Sequence, residues 1–242
     1  MNDTRRTKTF IGAMMLIGLS AAGYASFANH ALHAYFALAV LGLAAASSRM
    51  KVKLPGINGN MSVNLPFLLT AAVNLSAAEA VLITCISTAV QCWPRRNAKF
   101  NPQQMVFNLS MMVFATSAAS WMFHATLHSA ALWHSSTLGL VLATAALFLG
   151  QTTPVAGIVA VSEQKSAGTT WLSLAQLSFP YYVVSAGVTS MVQAMTSDLG
   201  WGLALAVFPV MYAIYRCYRL YFAAMHESMH NSVLVRGARA GA

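Results

Sequence analysis

Three groups of residues in this chain have types and spacings that could do chemistry. His226-Glu227-Ser228-Met229-His230 reads HExxH, which on a helix sets two imidazoles on one face for zinc with a glutamate beside them as general base. Its neighbourhood offers no obvious third ligand, and a short polar helix end accounts for the same letters. The second group is made of histidines: His30 and His33 lie three apart, and His124 and His128 four apart, so each pair shares a helix face. Joined by His134, Glu79 or Asp198, these four would hold a divalent metal or respond to pH; as interfacial residues they would only cap helices and face water. The third group is polar and set among apolar runs: Asn64, Asn74, Glu79, Gln104 and Asn108, flanked by Ser62, Gln91, Gln103 and Ser110. Such groups are costly against lipid, so they should turn inward and pair with one another or with a bound ligand. Glu79 carries most weight there, because an acid within the bilayer is a functional candidate by default.

The elements that must position these residues are membrane helices. Of 242 residues, 57% are hydrophobic and only 8% charged, against about a quarter charged in a soluble domain. Apolar blocks of roughly 17–25 residues recur, the length a helix needs to cross about 30 Å of hydrocarbon. The short alternating strands of an outer-membrane barrel are not evident. Eight spans are expected, near Thr9–Phe27, Ala31–Ser48, Val63–Leu75, Ala77–Trp93, Gln104–Ala125, Thr137–Val161, Leu172–Met195 and Leu199–Tyr221. The third is short and begins with Asn64 and Pro66, as a broken or re-entrant segment would. Pro154, Pro180 and Pro209 should kink their helices. Residues 1–230 then form one all-α polytopic bundle, and 231–242 a frayed tail.

Charge orders the spans. The 14 Lys and Arg residues fall before the first span, after the second, fourth and sixth, and at or beyond the end of the eighth. Basic residues favour the cytoplasmic side of short loops, so this alternation predicts eight crossings with both termini cytoplasmic. The net charge of +9 is thus topological; no basic stripe with interleaved aromatics marks a nucleic-acid surface. The opposite connections hold five of the seven histidines and no Lys or Arg. Cys85, Cys92 and Cys217 lack metal-ligand spacing and read as small hydrophobes.

The turn Leu54–Asn64 (LPGINGNMSVN), followed by Glu79, Gln91, the basic run Arg95–Lys99, Phe107–Asn108, Phe179–Tyr182 (FPYY) and Pro209–Tyr221, resembles a bacterial family in order and spacing. It is similar to the multi-pass integral membrane sensor module found N-terminal to HD, HD-GYP and GGDEF signalling domains. The resemblance implies an inner-membrane sensor whose last helix runs on into a cytoplasmic helix and an output domain. Only twelve residues follow His230, so the expectation is a signal relayed to a separate cytoplasmic partner. The resemblance implies no particular ligand. As the competing reading, a short, broken third helix with polar residues at membrane depth also resembles the solute-binding membrane subunits of vitamin transporters. A membrane metallopeptidase using HExxH is the third alternative. Gly56 and Gly59 lack the strand and lysine of a phosphate loop, so a turn is expected there.

Overall fold

The computed structural model describes residues 2–27, 33–53, 60–94, 100–128 and 135–199, and within 209–224 the residues 209, 212–213, 215–217, 219–221 and 224. The chain is an all-α bundle. Its helices are α1 (Asn2–Phe27), α2 (Ala34–Ser48), α3 (Leu65–Asn74), α4 (Ala77–Cys92), α5 (Pro102–His128), α6 (Ser136–Glu163) and α7 (Ala167–Leu199). An eighth helical segment includes Tyr212, Tyr215 and Arg219. The first seven expected spans each have a helix, with bounds within three residues except that α1 begins seven residues before Thr9 and α7 extends beyond Leu172–Met195 at both ends; the eighth span is described only in part. The turn Leu54–Gly59, the run Arg95–Lys99, His30, His134, HExxH and the tail 231–242 lie outside the described residues.

Among the described residues, three helices are long and apolar enough to cross a membrane: Arg5–Phe27 of α1, Pro102–Leu127 of α5 and Ser136–Glu163 of α6. α2 and α4 have 15 and 16 residues, and α3 only 10, about 15 Å at 1.5 Å per residue. A helix that short cannot cover 30 Å of hydrocarbon alone, and its placement answers the difficulty. Every residue from Leu65 to Val73 is buried, because α2, α4, α5, α6 and α7 all pack around it. α3 is the axis of the bundle.

Between α2 and α3 the chain makes a small ribbon, Lys51–Lys53 (β1) antiparallel to Asn60–Ser62 (β2), with Val52 opposite Met61. The ribbon closes on α3 through Val63 N–H donating to Met50 C=O at 3.2 Å. Pro66 in the first turn of α3 costs nothing, since that N–H has no helical partner anyway. Pro154 and Pro180 sit inside α6 and α7, which continue through them. α6 ends where Gln164 turns left-handed, at φ 53°, a helix-stopping conformation.

Small residues set how closely the long helices approach. A Cβ on Gly18 of α1 would lie 2.7 Å from Ser110 Cα of α5, and one on Gly150 of α6 would lie 2.9 Å from Ala115 Cβ of α5. Backbones in such contact gain dispersion along their length, which is how helices associate where lipid removes the hydrophobic drive. Phe10 near the start of α1 stacks on Phe107 of α5 with centroids 6.2 Å apart, and would touch a Cβ on Gly157 of α6. Arg49, after α2, donates to Val90 and Trp93 carbonyls at the end of α4, both at 3.2 Å. The N-terminal ends of α1 and α5 and the C-terminal ends of α2, α4 and α6 therefore lie at one end of the bundle. That end holds Arg5, Arg6, Lys8, Arg49 and Lys165.

Candidate functional site

A cavity of about 460 Å³ opens among α1, α3, α4, α5, α6 and α7, within the usual range for small-molecule sites. It lies at the N-terminal end of α3, whose Asn64 and Leu65 form part of its wall. The short axis helix leaves the space that further turns would fill.

Asn64, Thr88 and Gln151 line the cavity, and one atom of each, Asn64 Nδ2, Thr88 Oγ1 and Gln151 Nε2, is buried from solvent without a hydrogen-bond partner. Asn64 is 4% exposed and Thr88 1%. Asn64 stands at the N-cap of α3 in helical backbone, and its side chain makes no capping bond. Thr88 departs from its neighbours in another way. Hydroxyls on these helices mostly donate to a carbonyl one turn back, as Thr144 does to Leu140, Thr152 to Phe148 and Ser178 to Leu174, each at 2.7 Å; Thr88 makes no such bond. Gln151, near mid-length of α6, accepts from the Tyr182 hydroxyl at 2.7 Å through Oε1, which leaves its Nε2 unpaired. A buried polar atom without a partner costs about 1–3 kcal/mol, so three among the residues of one wall are a large cost for an empty protein.

Around them the wall is ordered. Trp171 Nε1 donates to Thr152 Oγ1 at 3.2 Å, tying α7 to α6. Asn108 Nδ2 donates to Cys92 Sγ at 3.5 Å, tying α5 to α4. At the rim Asn101 caps α5, accepting from Gln104 N–H at 3.2 Å, while Phe107 and Tyr181 supply apolar and aromatic surface.

Among the described residues, none that lines the cavity is charged or a histidine. The positive end of the α3 dipole would favour an anion by about 0.3–2 kcal/mol, yet bringing an ion out of water costs several kcal/mol when no opposite charge meets it. The desolvation cost is the larger. The wall suits an uncharged ligand bearing acceptors, carbonyl or ring nitrogen, for the amide donors of Asn64 and Gln151.

The five polar residues singled out in the sequence divide between the two ends of the bundle. Asn64, Gln104 and Asn108 line the cavity, as do Gln91 and Gln103. Asn74 donates to Thr70 C=O at 3.1 Å within α3. Glu79 starts α4, about 14 Å along the helix from Thr88, and its carboxylate is engaged. It accepts from Ser76 N–H at 3.0 Å, Ser76 Oγ at 2.8 Å and His33 N–H at 2.8 Å, and Ser76 in turn caps the Glu79 N–H. This reciprocal capping box satisfies two orphan donors of the helix start.

His33 and His124 fall at that same far end. His33 Nδ1 lies 4.0 Å from Glu79 Oε2, its side chain 55% exposed. His124 Nδ1 approaches Ser120 C=O at 2.8 Å, and its ring meets Phe123 edge-on. Among the described residues no three His, Cys, Asp or Glu side chains stand together as a metal site would need; His30 and the side chain of His128 are not among them.

Thr88, Gln151 and Tyr182 escaped the sequence reading as site residues. A lone amide in the middle of an apolar span, as Gln151 is, was the available signal. No model of a known family, no characterised protein and no solved structure matches this chain.

Proposed function

We propose that this chain is a multi-pass helical protein of a bacterial inner membrane that binds a small uncharged solute in the cavity beside α3. It relays occupancy through α7 and the last helical segment to a cytoplasmic partner. The observation that carries this reading is that three residues lining one cavity of ligand size, Asn64, Thr88 and Gln151, each hold a buried polar atom without a partner. The gathering of Arg5, Arg6, Lys8, Arg49 and Lys165 at one end of the bundle supports a topology with that end in the cytoplasm. For the relay, Tyr215 of the last segment packs against the larger core cluster, which includes Leu174, Val188 and Val192 of α7.

The test is native mass spectrometry of the full chain released from lipid nanodiscs. A bound small molecule is expected, and its occupancy should fall in Gln151→Leu. A protein released without any adduct from its own membranes would count against the reading.

A second reading is the solute-binding subunit of a transporter. It is favoured by α3 itself, a half-length helix whose N-terminal end meets a cavity inside the bundle, as the broken helices of transporters do. Uptake of the bound molecule into vesicles containing the chain and its co-purifying partners separates the two; sensing predicts none.

A further inference from the structure

We infer that the cavity is a vestibule open at the basic end of the bundle and closed toward the other, so that its ligand arrives from the cytoplasm as an uncharged solute. This deepens the ligand-binding reading and rests on it. The rim is made of residues that meet solvent, Asn101, Gln103 and Gln104 at the start of α5, with Thr7 of α1 beside Arg6 and Lys8. The inner wall includes the buried Asn64 and Thr88. Beyond it the bundle is shut by polar cross-links between helices. Thr189 of α7 donates to Pro66 C=O at 3.3 Å and pairs with Thr70 of α3 at 3.3 Å, and Thr84 of α4 donates to Thr116 of α5 at 3.1 Å. A solute from the opposite face would have to break these buried bonds, whereas among the described residues one from the basic end meets side-chain amides, aliphatic side chains and an aromatic surface.

Charge selects at two depths. Arg5, Arg6 and Lys8 near the rim repel cations. The uncharged inner wall offers an anion no partner once it leaves them. A neutral molecule passes both.

Cysteine accessibility tests the side and the charge separately. In a full chain with Cys85, Cys92 and Cys217 replaced by serine, Gln103→Cys marks the rim and Thr88→Cys the inner wall. Each is treated with three methanethiosulfonates of similar size, hydroxyethyl (neutral), sulfonatoethyl (anionic) and trimethylammonioethyl (cationic), in inside-out and right-side-out vesicles. Gln103→Cys is expected to react with all three in inside-out vesicles and with neither charged reagent in right-side-out ones. In inside-out vesicles Thr88→Cys is expected to react with the neutral reagent at least about tenfold faster than with either ion. Gln151→Cys stands in if Thr88→Cys fails to fold. Charged reagents reaching either position from the outer face, or reaching the inner wall as fast as the neutral one, overturn the inference. An inner wall that no reagent reaches overturns it too. Selective modification of a protein that carries no small molecule would retire the ligand-binding reading alone; a bound molecule with unselective modification would retire this inference alone.

Discussion

Replacing Thr88 by valine separates a hydroxyl kept for a ligand from one kept for the fold. The side chains have nearly the same shape, so little repacking is expected in a wall where Thr88 is 1% exposed. Without ligand, its hydroxyl is buried and unpartnered, a state that costs about 1–3 kcal/mol and that a methyl group relieves. Thr88→Val should therefore leave the empty protein as stable as before or up to about 1 kcal/mol more stable, read from equilibrium unfolding in mixed micelles on raising dodecyl sulfate. With ligand the sign reverses. The variant leaves an acceptor or donor of the ligand facing a methyl, again at about 1–3 kcal/mol, so affinity should fall about 5- to 150-fold. Thr144→Val is the control, because Thr144 is bonded within its own helix at 2.7 Å and lies off the cavity wall; it should leave affinity unchanged. A Thr88→Val protein destabilised by more than about 1 kcal/mol would show that the hydroxyl is satisfied in the empty protein. Unchanged affinity would remove Thr88 from the site.

Three further outcomes follow from the packing. Gly18→Ala drives a methyl to 2.7 Å from Ser110 Cα and should destabilise by about 1–3 kcal/mol; Gly12→Ala and Gly23→Ala on the same helix meet nothing within 4 Å and should be neutral or slightly stabilising in the same unfolding assay. Glu79→Ala removes an acceptor of three hydrogen bonds and should cost about 1–3 kcal/mol while leaving cavity binding intact; lost binding at full stability would return Glu79 to the site. On the proposed reading, ending the chain after Tyr221 should abolish co-purification of a cytoplasmic partner without affecting ligand occupancy, and a truncated chain that still pulls the partner down would refute the relay through the last helical segment.

The helices were legible because hydropathy is a property of each block: α1 through α7 appear where the apolar runs do, short as the run of α3 is. The division of the polar residues was not. Asn64 and Asn74 both read as amides at the ends of a short apolar run, and only the packing of five helices around α3 shows one facing a cavity and the other bonded to Thr70. Glu79 illustrates a signal present but outweighed, since Ser76-Ala77-Ala78-Glu79 carries the spacing of a capping box. Tyr182 and Gln151 are 31 positions apart and meet only because α6 and α7 lie antiparallel after the short Gln164–Ser166 turn. A cavity wall gathered from six helices has no local pattern to read.

α3 connects what the two ends separate. Its N-terminal residue Asn64 touches the cavity, its middle is cross-linked to α7 through Thr70 and Thr189, and its C-terminal end leads in two residues to the capping box of Ser76 and Glu79. Being buried on every side, it has no lipid face along which to relax, so a displacement of Asn64 on binding must be passed to its neighbours. The neighbour bonded to it at two points is α7, through Thr189 to Pro66 and to Thr70, and α7 precedes the last helical segment. On the proposed reading, Thr189→Val should uncouple the partner from ligand while both still bind: it removes the bonds between α3 and α7 and lies off the cavity wall. Coupling that persists undiminished in Thr189→Val, measured as the ligand-dependent change in partner affinity, would show that the signal does not leave the cavity through α3.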